Sequence, residues 1–184
     1  VASERDARRS ACLDKTTAET SALAARGVRM GGNAFSAVLL VKGELAEAEK
    51  DGEPPFSGAD GRALRASLER LGYAPEDWEW LLSVDEGGEP LDAALLREAV
   101  CALDPATLVC CDEAAAMLLR EAYADDLALI DSLDEAMLAP GVVAHVCGMR
   151  VLNLGGFAAA LSDAHEKQVM WARLKRIPPL GEPF

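Results

Sequence analysis

The residues best placed to do chemistry follow an apolar run. Ala34 to Val41 is apolar but for Ser36, and Lys42, Gly43, Glu44, Glu47, Glu49, Lys50 and Asp51 come directly after it. Pro54, Pro55 and Phe56 follow, then Gly58-x-x-Gly61. A carboxylate at the mouth of a strand can orient a water against a base or a sugar, and a later aromatic can stack on a planar ligand. The same spacing also suits a solvated acidic loop closed by a turn. Other chemistries are poorly served. The segment Gly58-Ala59-Asp60-Gly61 lacks the glycine spacing and the Lys-Ser/Thr ending of a phosphate loop, and neither Gly31-Gly32 nor Gly155-Gly156 fits a dinucleotide fingerprint. Of the two histidines, His145 lies in an apolar run and reads as a core residue, and His165 reads as a solvated residue of the last helix. The cysteines stand at 12, 101, 110, 111 and 147 with no Cys-x-x-Cys. Adjacent Cys110 and Cys111 would point to opposite faces of a strand and so cannot chelate one metal. They read as buried free thiols in a reducing cytoplasm, with no metal and no cofactor expected.

These candidates need elements to position them. Residues 3–26 have helical composition, ended by Gly27, and Gly31, Gly32 and Asn33 read as a turn. Phe35–Val41 is apolar almost throughout, as in a strand covered on both sides. Residues 43–61 read as loop, and Arg62–Leu71 as a helix with Leu64, Leu68 and Leu71 on one stripe, closed by Gly72. Trp78, Trp80 and Leu82 alternate as on a strand. Leu91–Leu103 reads as a helix, Thr107–Cys111 as a buried strand, and Asp112 as the cap of a helix reaching about Tyr123. Residues 124–139 are unassigned. Val142–Val146 and Arg150–Leu154 read as two strands joined by Cys147-Gly148, Ser162 as the cap of a last helix to about Lys175, and Ile177–Phe184 as an extended tail. Strands alternating with helices predict an α/β fold: a three-layer α/β/α sandwich with a mostly parallel central sheet. No repeat or linker divides residues 1–184, so one domain is expected, with its core over 34–176.

Composition narrows the partners. The 184 residues are 51% hydrophobic and 27% charged, with a formal net charge of -13. Affinity for nucleic acid comes mostly from Lys and Arg neutralising phosphates, so this balance disfavours DNA without closing the case, and leaves a protein partner open. No apolar run approaches the ~20 residues of a membrane span, and no signal peptide is expected, which points to a cytoplasmic protein with no membrane partner.

The order of the segments resembles the uracil-DNA glycosylase superfamily, particularly its smaller bacterial branches. There a first strand leads into Gly-Glu-Ala-Pro-Gly, acidic residues, a Pro-Phe and a Gly-x-x-Gly that opens a helix. Here Val38-Leu39-Leu40-Val41-Lys42-Gly43-Glu44 leads to Glu49, Asp51 and Pro55-Phe56-Ser57-Gly58-Ala59-Asp60-Gly61, and the helix ends in Leu71-Gly72-Tyr73. Leu103-Asp104-Pro105 resembles the family's Leu-x-Pro before its third strand, and Lys167 to Leu174 its closing helix. The resemblance implies a uracil-DNA glycosylase-like fold and a DNA-repair ancestry. Glu44 and Asp51 become the candidate catalytic carboxylates, and Gly43, Phe56, Leu82, Gly155 and Gly156 the candidate ligand-binding residues. The family's Ala-Pro-Gly is Leu45-Ala46-Glu47 here, which puts side chains where backbone must approach a ligand. Its uracil-reading Asn falls near Leu82 or Ser83, and Leu82 can neither donate nor accept. Its His-Pro-Ser, which stabilises charge on the departing base, is replaced by Leu154-Gly155-Gly156-Phe157. Charge stabilisation of that kind is worth ~3–4 kcal/mol, a hundred- to thousandfold in rate. Its four-cysteine iron–sulfur pattern is absent.

The resemblance with these losses predicts a diverged, pseudoenzyme-like member without glycosylase activity, acting as a binding or regulatory protein. Two alternatives stay open. One is an active DNA glycosylase (an N-glycosyl hydrolase) with a rebuilt base pocket, which requires a positive rim around Phe56 and Gly155. The other is a small-molecule or nucleotide-binding protein using the same strand-end cleft.

Overall fold

The computed structural model describes residues 3–181. Of the tail expected to be extended, residues 178–181 have no regular structure and residues 182–184 lie outside the described residues. Fifteen elements follow one another: α1 (Glu4–Ala25), β1 (Met30–Gly32), β2 (Val38–Lys42), α2 (Glu47–Lys50), α3 (Ala59–Leu71), β3 (Glu79–Leu82), α4 (Ala93–Leu103), β4 (Thr107–Cys110), α5 (Glu113–Ala122), α6 (Ala124–Leu127), α7 (Leu133–Ala136), β5 (Val143–Val146), β6 (Met149–Asn153), α8 (Phe157–Ala160) and α9 (Ala164–Leu174).

The fold is α/β, with a six-stranded mixed sheet in the order β1-β3-β2-β4-β6-β5, flanked by helices. The expectation of a mostly parallel sheet needs refinement. The inner pairs β3–β2, β2–β4 and β4–β6 are parallel, and an antiparallel strand closes each edge, β1 on β3 and β5 on β6. Strand β2 shows why the sheet sits at the centre. All five of its residues are buried, and successive side chains alternate between two apolar clusters. Leu39 and Val41 pack with Leu96 and Val100 of α4 and Leu119 of α5. Val38 and Leu40 pack with Leu64 and Leu68 of α3, Phe157 of α8 and Met170 of α9. A run that is apolar at every position, not every second one, follows from cover on both faces.

Several helices start where short polar side chains satisfy free N–H groups. Ser3 and Asp6 form a reciprocal capping box on α1, Asp92 accepts from the Ala94 and Leu95 amides of α4, and Asp112 caps α5. The cap of α9 is Asp163, accepting from the Glu166 amide, not Ser162. Gly72, at φ 105°, closes α3 in the left-handed conformation.

Four further expectations change. Gly31 and Gly32 belong to strand β1, not to a turn. A Cβ at Gly31 would lie 2.7 Å from the Trp80 ring, so only glycine lets that edge strand lie against the indole. The loop after β2 contains the short helix α2, and 124–139 holds α6 and α7. His145 is exposed, because β5 is an edge strand with one face open to solvent. Cys110 and Cys111 are buried in opposite clusters as their adjacency requires, but Cys12, Cys101 and Cys147 are exposed.

Candidate functional site

The chain leaves the carboxyl ends of two neighbouring strands in opposite directions. After β2 it runs to α3 on one face, and after β4 it enters α5 on the other. Such a divergence opens a crevice at the strand ends, the usual place for a ligand in an open α/β sheet. Here the crevice is stitched across by Asp112. Its carboxylate accepts from the Gly43 amide at 3.0 Å, the Glu44 amide at 2.9 Å and, across the divide, the Ala115 amide at 2.9 Å. The approach is close: a Cβ at Gly43 would lie 2.5 Å from Ser83 Oγ and 2.9 Å from Ala114 Cβ.

What fills the crevice is the last residue of β2. Strand parity sends Lys42 to the same face as Val38 and Leu40, under α3. Its ammonium donates to Glu49 at 2.5 Å and to Asp60 at 2.8 Å, with both Lys42 and Glu49 side chains 3% exposed. Glu49 is saturated, also accepting from the Phe56 amide at 2.7 Å and the Ala46 amide at 2.9 Å. Burial works against the charged ammonium, but the hydrogen bonds it donates to Asp60 and Glu49, and their charges, outweigh it, holding Lys42 above the usual lysine range. It is therefore a fixed cation at neutral pH.

Phe56 is built into this network. Lys42 Nζ lies 4.4 Å from the ring centroid, in cation–π geometry, and the residue is 1% exposed. Its φ of 61° is left-handed, a conformation that costs a bulky residue ~1–3 kcal/mol and persists only where its surroundings over-determine it. The surroundings do so: Glu49 holds its amide, Arg65 donates to its carbonyl at 2.9 Å, and Gly61 leaves room for that carbonyl, 1.8 Å from where a Cβ would be.

Among the described residues, two cavities border this network at the strand ends. One, of about 30 Å³, lies between Lys42, Glu44, Asp60, Asp112, Gly156 and Phe157. That is room for a water, and far below the ~300 Å³ at which small-molecule sites begin. The other, of about 480 Å³, lies beside it between the loops after β2 and β3, with Arg29, Gly43, Glu44 and Gly87 among its walls. Arg29 donates to the Asp85 carbonyl at 2.6 Å, while its Nε is buried without a hydrogen-bond partner.

Of the residues singled out from sequence, Gly43, Glu44, Phe56 and Gly156 converge on this end of the sheet, Phe56 through its contact with Lys42. Glu44 is exposed and borders both cavities. Phe56 is present but has no face open to a ligand, contrary to a stacking role. Asp51 is exposed at the carboxyl cap of α2 and lines neither cavity. Leu82 is fully buried within β3. Gly155 lines neither cavity, and a Cβ there would crowd Pro140 at 3.1 Å and Arg173 at 3.3 Å. Lys42 and Asp60 fall within the stretch that the sequence marks for chemistry, but their spacing does not pair them with each other or with Glu49; Asp112 reads there only as a helix cap, and Arg29 carries no signal. Among the described residues no group of three His, Cys, Asp or Glu side chains is placed to hold a metal ion. No protein-family model matches the chain, and no curated protein matches it.

Proposed function

We propose that this chain is a diverged relative of the uracil-DNA glycosylase superfamily, a three-layer α/β/α sandwich that has lost glycosylase activity and serves as a binding or regulatory protein. One observation carries the reading. The crevice between the ends of β2 and β4 is occupied by the chain's own Lys42–Glu49–Asp60 network, and the space of about 30 Å³ left there admits a water but no base; the cavity of about 480 Å³ lies outside it, between the loops after β2 and β3. The candidate carboxylates fit the same reading: Glu44 is solvated and Asp51 stands apart from the crevice. An active glycosylase with a rebuilt pocket needs a cationic rim to hold the strand. Residues 42–61 instead carry six carboxylates against two lysines, and both lysines are paired with carboxylates. The five unpaired thiols support a reducing, cytoplasmic setting.

Purified protein incubated with uracil-containing single- and double-stranded DNA is expected to release no base above the uncatalysed background. Base release at enzymatic rates, lost in Glu44→Gln or Asp51→Asn, overturns the proposal.

A second reading is favoured by Arg29. Its partnerless Nε beside a cavity of about 480 Å³ supports a small anionic ligand, such as a nucleotide, at the same end of the sheet. A thermal-shift screen with nucleobases and nucleotides separates the two readings, because a specific ligand raises the melting temperature by mass action and Arg29→Gln would remove the effect.

A further inference from the structure

The opposite end of the sheet holds a buried acid with nothing to bind. Glu79, the first residue of β3, is 1% exposed, and its Oε1 has no hydrogen-bond partner. Strand parity aims it, with Leu81, toward the face covered by α1 and α4. It forms part of the wall of a recess of about 310 Å³ between α1 and the edge strand β1, with Thr20, Ser21, Gly32, Ala34 and Leu103. Ala34 and Leu103 are shared with a wider cavity of about 600 Å³ that continues along α1 toward Glu19, Glu98 and Asp104.

We propose that this recess is a binding site for a small organic amine, with Glu79 as its counter-ion. Buried carboxyl groups are paired in folded proteins, because an unpaired one forfeits its hydration with no return. Glu79 therefore lacks a partner that the chain does not supply. The charged groups around it exclude an anion. Asp77 lies close enough to act on it electrostatically, and the cavity along α1 adds Glu19, Glu98 and Asp104 with the thiols of Cys12 and Cys101. Among the described residues the cation lining that cavity, Lys15, is engaged by Glu19 at 3.7 Å, and Arg26 is engaged by Glu98 at 2.7 Å. A single carboxyl among hydroxyls and aliphatic groups offers too few ligands for calcium or magnesium, which take about six or more oxygens, or for zinc, which takes about four ligands. An ammonium group, with three N–H donors, suits one carboxylate in a recess that Thr20 and Ser21 also line. The recess extended by its neighbour has the length for a diamine or a polyamine, whose second ammonium would meet Glu19, Glu98 or Asp104. Burial first, and the negative charge of Asp77 second, push Glu79 up to about 8. The free acid is thus mostly neutral at pH 7, and an entering ammonium displaces its proton.

Isothermal titration calorimetry of the full chain with putrescine and with spermidine at neutral pH tests this. The expected result is one amine per chain, with a proton released on binding in buffers of differing ionisation heat. Affinity should fall at least about tenfold in Glu79→Gln, which keeps the shape and removes the charge. Ala34→Phe, made at an exposed position that walls both cavities, should block the site with Glu79 intact. Absence of saturable binding in the millimolar range overturns the proposal. So does binding undiminished in both variants, which would assign the amines to the acidic surface at large.

Discussion

Lys42 carries the electrostatics of the strand-end crevice, and removing it exposes how the network is held. Lys42→Met keeps the length of the side chain and leaves Glu49 buried without its cation. Breaking a buried pair from one side costs about 3–5 kcal/mol, far more than a surface ion pair, whose worth is ~0–1 kcal/mol. A loss of that size in urea denaturation is the expected outcome, and a loss below ~1 kcal/mol would mean that the network is hydrated. Glu79 makes the opposite prediction. Its ionisation is raised from 4.5 to about 8 in the folded chain, so the folded state binds the proton more tightly than the unfolded chain does. Its favourable contribution is fully present below about pH 4.5 and is lost as pH rises toward 8. Glu79→Gln should flatten that decline and exceed the parent by roughly 2–4 kcal/mol at pH 8 in amine-free buffer. Parallel denaturation curves at acidic and alkaline pH measure it. These residues were hardly legible in the sequence. Lys42 meets Glu49 and Asp60 seven and eighteen positions away, partners indistinguishable by spacing from a solvated acidic loop. Glu79 falls between Trp78 and Trp80 in a pattern that reads only as alternation.

At the scale of elements, Asp112 joins α5 to the turn after β2. Losing an N-cap alone costs ~0.5–2 kcal/mol. Asp112→Ala also frees the Gly43 and Glu44 amides from a charged acceptor, so about 2–3 kcal/mol is expected, with Asp112→Asn recovering only part of it, because its amide offers one acceptor oxygen where both carboxylate oxygens are used. Amide hydrogen exchange should quicken at Gly43 and Glu44 in the alanine variant before it does in the centre of β2. The capping role was legible, since an acid standing between an apolar strand and an alanine-rich helix has few other uses. Its reach to Gly43 was not, because that contact spans 69 residues. Strand β2 was readable because five buried positions in a row admit few alternatives, and β1 was not, because Gly31 and Gly32 carry the composition of a turn while the Trp80 ring makes them a strand. His145 misleads for a related reason: apolar neighbours mark a strand, but only the sheet order reveals that the strand lies at an edge.

For the whole molecule, alternation of strand and helix anticipates an α/β sheet flanked by helices, and the charge of -13 anticipates an acidic surface. Neither anticipates a strand-end crevice closed from within. Under the proposed kinship a base-binding pocket would lie where Lys42, Glu49, Asp60 and the strained Phe56 interlock. That closure follows from packing between distant segments, which local pattern does not encode. It is best tested on the Lys42 ammonium itself. In a ¹⁵N-edited NMR spectrum a lysine buried in two ion pairs should give a slowly exchanging ammonium resonance at neutral pH, and millimolar uracil should leave it unmoved. A resonance that shifts or vanishes as uracil is added would mean that the crevice opens to a base, and would contradict the account.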